Sequence, residues 1–376
     1  MKINYSEIVN SFSSPDISDE EIIALINILA DSGEKLCFNS PVYDFASTGG
    51  PSSLSTLLVP LYMFSLGVNV INLAVPGRPA GAIDVLSQIP DYRMDIQPGN
   101  TSDVEHFYFH LEANDRYAPL DKELFAYRKK ENKINVPNLA IASLMAKKIA
   151  SGAQYIGLDV RVSPFGNFGS GWDECIQNAK RYNHIARQLG KKSTCFLSCS
   201  DKPYQRYIGR GEALIALLNI IDNADDSTLQ QHNDYCMDMA THLVFNEIKS
   251  THRIDLKRAL SENLDFQGSS YDNFVTAVTA VQIQPRHNYL APISGYIKYN
   301  LESIRSYLVK RQQQAESISK YPDPCGMILL KNQGEYVLKD EPILLIRNSI
   351  PEIEKMYSFC TILNEEVPID YRKEVI

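Results

Sequence analysis

Between residues 43 and 199, short apolar runs alternate with longer runs of helical period, and this rhythm constrains the fold more than any other feature of the chain. The strand-like runs are VNVINLAV, HFYFHLEA, YIGLDVRV and STCFLSC. Between them lie LSTLLVPLYMFSLG, AIDVLSQIP, NLAIASLMAKKIASG and DECIQNAKRYNHIARQLG, which read as helices. Parallel neighbours need a crossover, so the succession predicts an α/β fold with a mixed, largely parallel sheet. Two flanking regions differ. SDEEIIALINILAD reads as an amphipathic helix with Ser18 as its cap, Glu21 three residues on and Gly33 past its end. GMILLKNQGEYVLKDEPILLIRNS reads as short strands around turns at Asn332, Gln333 and Gly334 and at Lys339, Asp340 and Glu341. With hinges at Pro41, near Pro119 and at Gly152, the expected division is a small helical domain from residues 1–38 and 117–151. A larger α/β domain takes 42–112 and 155–376, with 322–348 as its β-rich C-terminal part.

Composition narrows the function. A net charge of −8 argues against nucleic acid, whose backbone needs a basic face, and leaves a small molecule as the expected partner. No run approaches the roughly 18 apolar residues of a membrane span, and the first residues lack the apolar core of a signal peptide, so no membrane and a cytoplasmic location are expected. Seven mostly isolated cysteines fit reduced thiols. Cys195 and Cys199 share a strand face without a second ligand pair, and His106 and His110 share another, so packing rather than a metal site is expected; no cofactor is expected either.

The stretch YDFASTGGPSSLST, from Tyr43 to Thr56, looks like a loop that wraps an oxyanion. Ser47, Thr48, Gly49, Gly50, Ser52, Ser53, Ser55 and Thr56 are all small, yet the stretch carries no Lys or Arg. Backbone amides and hydroxyls alone would suit a weakly charged or neutral group.

The ordered blocks DFASTGG, AIDVLSQIP, APLDKELFAYR, IASLMAKKIASG and LDVRV resemble the thymidine and pyrimidine-nucleoside phosphorylases. The match runs from about Ile17 to Ile221, weakens, and returns near SGYIKYN and GMILLKNQGEYVLKDEPILLI. The resemblance implies a ligand cleft between the two domains. It also implies that Arg128, Ser143 and Lys147 hold the edge of a pyrimidine. Ser143 and Lys147, four apart in a helix, share a face, and cations at the ring carbonyls would stabilise charge developing on the leaving base. The alternative is that Arg128 pairs with Glu123 or Asp121, while Lys147 and Lys148 complement a helix C-terminus.

The phosphate half of the family pattern is altered. The family's loop Lys falls on Phe45 and its neighbouring His on Ala46, a Gly-Asp pair is missing, and later Ser and Thr positions hold Asn72 and Ala82. Ser47 and Ser55 remain. Loss of the Lys should weaken dianion binding by a few kcal/mol, and an aromatic ring at position 45 is expected to fill part of the phosphate's space. Arg78 and Arg161 are candidate replacement cations, with salt bridges as the alternative. The implied activity is a pentosyltransferase that cleaves or exchanges the N-glycosidic bond of a pyrimidine nucleoside or nucleotide, with free phosphate or another acceptor. A non-catalytic nucleoside-binding protein that kept the base pocket is the alternative. The family's homodimer is possible, though its N-terminal contact helices look shortened.

Overall fold

The computed structural model describes residues 4–95, 106–247, 252–316, 319–348 and 350–376, apart from the side chain of Glu352. Residues 1–3, counted above with the helical segment, lie outside the described residues. The first two helices are α1 (Tyr5–Phe12) and α2 (Asp19–Ala30). Ser18 caps α2 with its hydroxyl on the Glu21 amide at 3.2 Å, and the Glu21 carboxylate accepts the Ser18 amide at 2.8 Å. Both orphan donors are thereby satisfied. Ile22, Leu25, Ile26 and Leu29 form the buried stripe that packs α2 on α6 (Pro137–Ala150), with α5 (Pro119–Lys130) alongside.

The main sheet is built from β1 (Val42–Ser47), β2 (Asn69–Ala74), β3 (Tyr108–Glu112), β4 (Tyr155–Val162) and β5 (Lys192–Cys199), all parallel. Its order is β5-β4-β1-β2-β3, with β13 (Lys373–Val375) added antiparallel beside β5. Burial on both faces explains why these strands read as near-continuous apolar runs. Helix α3 (Ser55–Ser65) packs on one face, and α6 with α7 (Trp172–Gln188) packs on the other. From β1 the chain winds towards β3, and from β4 it winds the opposite way to β5. The switch point therefore lies between β1 and β4, and the crevice outside the carboxyl ends of these strands is where such sheets bind ligands. The turn after β2, leading into α4 (Ala82–Leu86), lies at the same end.

Beyond β5 come β6 (Tyr207–Ile208), α8 (Arg210–Ile221), α9 (Ser227–Phe245), α10 (Leu256–Phe266) and α11 (Tyr271–Gln282), the helices thickening the α3 face. The remaining elements are β7 (Arg286–Leu290), β8 (Gly295–Tyr299), α12 (Leu301–Gln314), β9 (Gly326–Leu329), β10 (Tyr336–Val337), β11 (Pro342–Arg347) and β12 (Cys360–Leu363). They form two antiparallel sheets, β6-β9-β11-β7 and β10-β8-β12, around a separate core. The expected strands around Asn332 to Gly334 exist, but they do not pair across that turn. β9 joins β11 while β10 joins β8, because each finds its apolar partners in a different sheet.

All seven cysteines are free, and six are buried. His106 stacks on Phe64 with ring centroids 4.0 Å apart, and His110 meets the Tyr108 hydroxyl at 2.6 Å. Among the described residues, no group of His, Cys, Asp or Glu has a metal-binding arrangement, and no helix is long and apolar enough to cross a membrane.

Candidate active site

The loop after β1 is closed from within. Gly49 and Gly50 have φ of 102° and 141°, and a Cβ at either would meet nothing, so the backbone torsions rather than space require glycine there. Ser47 Oγ accepts the Gly49 amide at 3.1 Å, and Thr48 Oγ1 accepts the Arg161 amide at 2.8 Å. Ser55 donates to the buried Asp159 carboxylate at 2.5 Å. The same carboxylate pairs with the Arg161 guanidinium, which also donates to Ser53, to Ser55 at 3.3 Å and to Ser198 at 3.3 Å, and lies 3.8 Å over the Tyr204 ring. Burial opposes the Arg161 charge, but Asp159 together with Tyr204 and Tyr235 outweighs it and holds the guanidinium above its ordinary pKa. Burial likewise raises Asp159, against the pull of Arg161, Ser55 and Ser47. The loop thus already holds an anion, and that anion belongs to the chain.

The facing wall is built by α5 and α6 and keeps donors in reserve. Lys147 Nζ donates to Asp121 at 2.6 Å, to the Ser143 carbonyl at 2.5 Å and to Ser143 Oγ at 3.0 Å, which engages all its protons. Ser143 only accepts there, so its own proton is left for the cavity. Arg128 donates to the carbonyls of Lys133 at 3.3 Å, Leu139 at 3.2 Å and Ile134 at 2.7 Å. Of a guanidinium's five N–H donors two are then unengaged. Burial lowers the pKa of Lys147, partly offset by Asp121, and lowers Arg128 to about 10. The Asp121 or Glu123 pair considered for Arg128 is not among its hydrogen bonds, which go to carbonyls; Lys147 and Lys148 do stand in the last turn of α6, where Lys147 binds Asp121 and Lys148 binds Asp44 at 2.7 Å.

Arg128, Ser143, Lys147, Ser47, Gly49, Gly50 and Arg78 line one cavity of about 150 Å³ between these walls. Thr48 and Arg161 line an adjoining cavity of about 600 Å³ that shares Gly49, Gly50, Arg78, Asn167 and Arg305 with the first. Ser55 is buried behind the loop on Asp159. One expectation is corrected. Arg161 is no free cation, because Asp159 neutralises it. Phe45 also lines the first cavity, and its ring is buried against β4: a Cβ at Gly157 would lie 2.4 Å from Phe45 Cδ2, beside Leu243.

Sequence reasoning missed Asp159, although it stands two residues from Arg161 on a strand and so shares its face. Asp121 was visible only as a neighbour of Arg128. Asp84 was missed too: it accepts the Gly77 and Arg78 amides at 2.9 and 3.0 Å and the Arg210 guanidinium at 2.9 Å, fixing the turn that carries Arg78. Arg305 and Tyr204 had no local signal, because they arrive from distant segments.

Fold and site define an α/β protein whose cleft opens at the switch point of a doubly wound sheet, with a buried cation–carboxylate pair on each wall. No family model matches the chain. It is 23% identical over 90% of its length to a pyrimidine-nucleoside phosphorylase of Staphylococcus haemolyticus, 82% of which is covered. It is 25% identical over 70% of its length to the pyrimidine-nucleoside phosphorylase of Geobacillus stearothermophilus, 61% of which is covered. Among solved structures, anthranilate phosphoribosyltransferase from Thermus thermophilus aligns with a TM-score of 0.47 and 12% identity, covering 74% of this chain and 96% of that one. The chain is similar to proteins named pyrimidine-nucleoside phosphorylase over most of its length.

Proposed function

We propose that the protein is a pentosyltransferase acting on the N-glycosidic bond of a pyrimidine nucleoside or nucleotide, with an acceptor other than free dianionic phosphate. The similarity to proteins named pyrimidine-nucleoside phosphorylase supports the reaction class. One observation carries the rest: the Ser53 and Ser55 hydroxyls of the loop serve the internal Asp159–Arg161 pair, whereas the facing wall keeps unengaged donors on Arg128 and Ser143. A second dianion beside Asp159 would meet its negative charge while Arg161, the cation packed against the loop, is already committed to Asp159, which is unfavourable in a low-dielectric cleft. A water or sugar hydroxyl meets no such penalty.

On the base side, two Arg128 N–H groups and the Ser143 hydroxyl would donate to the ring carbonyl oxygens, and the Lys147 charge would stabilise negative charge on the departing base. Arg128 and Lys147 are the proposed catalytic pair, with Ser143, the loop and Arg78 binding substrate. The helical domain is proposed to be residues 1–38 and 117–151, and the α/β domain the remainder. One observation favours a non-catalytic binding protein instead: Arg128 and Lys147 already have several protein partners each.

Incubation with a nucleoside and nucleotide panel, with and without phosphate, followed by chromatography of released base, tests the reading. Expected are nucleoside binding without phosphate and thymidine phosphorolysis that is absent or slower by orders of magnitude than in relatives with the loop Lys. Saturable, phosphate-dependent release of thymine or uracil would overturn the acceptor assignment, and release from no substrate would favour the binding protein.

A further inference from the structure

The turn 76–81 after β2 is held from several sides. Asp84 accepts its Gly77 and Arg78 amides, Lys129 donates to the Gly77 carbonyl at 3.2 Å, Arg210 to the Arg78 carbonyl at 3.0 Å and Gln312 of α12 to the Pro79 carbonyl at 2.9 Å. The Arg78 backbone is therefore fixed, yet its guanidinium has no hydrogen-bond or carboxylate partner among the described residues. It lies 4.8 Å over the Phe125 ring and lines both cavities where they join. Arg305, on α12, lines the same junction with only a 3.4 Å contact to Glu302. Asp84, the other nearby carboxylate, is engaged by Arg210 and two backbone amides. Burial and the Arg305 charge lower Arg78 to about 10 against the pull of Asp84, and burial with the Arg78 charge lowers Arg128 and Lys129, so the cations crowd one another at this junction. A half-buried guanidinium preset by its backbone, with no acceptor among the described residues, is a group shaped for an anion that those residues do not supply.

We propose that Arg78 and Arg305 seat the phosphate of a phosphomonoester, so that the substrate is a pyrimidine nucleoside 5′-monophosphate rather than a free nucleoside. This rests on the base-wall reading above. The phosphate lies on the wall made by the turn after β2 and by α5 and α12, apart from the Asp159-filled loop where an acceptor would sit. The larger adjoining cavity, lined by Asn132, Asn135 and Asn167 beside the two arginines, gives room and neutral donors for its remaining oxygens. Orthophosphate offers the same dianion chemistry, so the test separates the two sources.

Calorimetry on the full chain compares uridine, uridine 5′-monophosphate, ribose 5-phosphate and orthophosphate, for the wild type, Arg78→Ala, Arg305→Gln and Arg78→Lys. The expected result is at least tenfold tighter binding of the nucleotide than of the nucleoside, a ratio that falls towards unity in Arg78→Ala and Arg305→Gln and is largely kept in Arg78→Lys, which separates loss of charge from misfolding. Equal affinity for nucleotide and nucleoside in the wild type would overturn the proposal, as would orthophosphate binding that depends on Arg78 while the nucleotide shows no preference. Arg78-dependent binding of ribose 5-phosphate with no binding of either pyrimidine ligand would sustain the phosphate seat and refute the pyrimidine reading. No binding of any phosphorylated ligand would overturn the seat.

Discussion

The two walls of the cleft each bury one cation against one carboxylate, Arg161 on Asp159 and Lys147 on Asp121, yet they have different uses. At the loop, the Ser53 and Ser55 hydroxyls are drawn into the pair, and an aromatic ring covers the guanidinium. At the helical wall, the pair leaves the Ser143 proton and two Arg128 donors unengaged. Small polar residues next to a buried charge therefore do not by themselves make a binding site. What matters is whether donors remain after the internal charges are satisfied.

Breaking the loop pair should have the largest effect. Arg161→Ala leaves Asp159 buried without a counter-ion and is expected to lower stability by about 3–5 kcal/mol in urea unfolding, whereas Arg161→Met with Asp159→Leu should recover most of that loss. A loss under about 1 kcal/mol would mean the loop is not a closed unit. On the other wall, affinity should respond more than fold. In an Asp121→Asn background, which removes the orphaned carboxylate, Lys147→Ala is expected to weaken pyrimidine nucleoside or nucleotide binding by about 1–3 kcal/mol by calorimetry. Unchanged affinity would remove Lys147 from the site.

A third contrast lies beneath the helical wall, where Lys148 faces both Asp44 and His110. Burial, reinforced by Lys148, lowers His110 from 6.5 to about 3, so between those values the unfolded chain holds a proton that the folded chain lacks. Its contribution is complete above pH 6.5 and lost as pH falls. Burial raises Asp44 from 3.8 to about 6 despite Lys148 and Ser151, so in that window the folded chain holds the extra proton and the contribution grows as pH falls. Relative to the wild type, His110→Gln is therefore expected to flatten acid destabilisation between pH 6 and 4 by about 1 kcal/mol per pH unit. An identical pH slope in the two proteins would show that His110 titrates normally. The smallest change is at Ser143: Ser143→Ala should weaken ligand binding by about 0.5–1.5 kcal/mol and leave unfolding almost unmoved. A larger loss of stability than of affinity would make Ser143 a helix-packing residue.

Much of the framework was legible in local pattern. The Ser18 capping box, the two-face burial of the parallel strands and the i, i+4 relation of Ser143 to Lys147 are set by neighbours within a few residues, so periodicity and side-chain chemistry announce them. Glycines 49 and 50 likewise announce torsions that other residues avoid. The pairing of β9 and β10 was not legible, because a turn shows that two strands meet it and not which sheets they join.

The sequence by itself determined the α/β class, the loop without a cation and the set of polar residues offered to the cleft, since composition, period and spacing are properties of the chain alone. Tertiary structure decided their partners. Asp159 took the Ser55 hydroxyl and Arg161, Asp121 took Lys147, and Arg78 was left without an acceptor among the described residues, beside Arg305 from more than two hundred residues further along. The physical reason is that a buried charge is stabilised by whichever opposite charge or dipole folding brings within a few ångströms, and that distance is fixed by packing across the sheet.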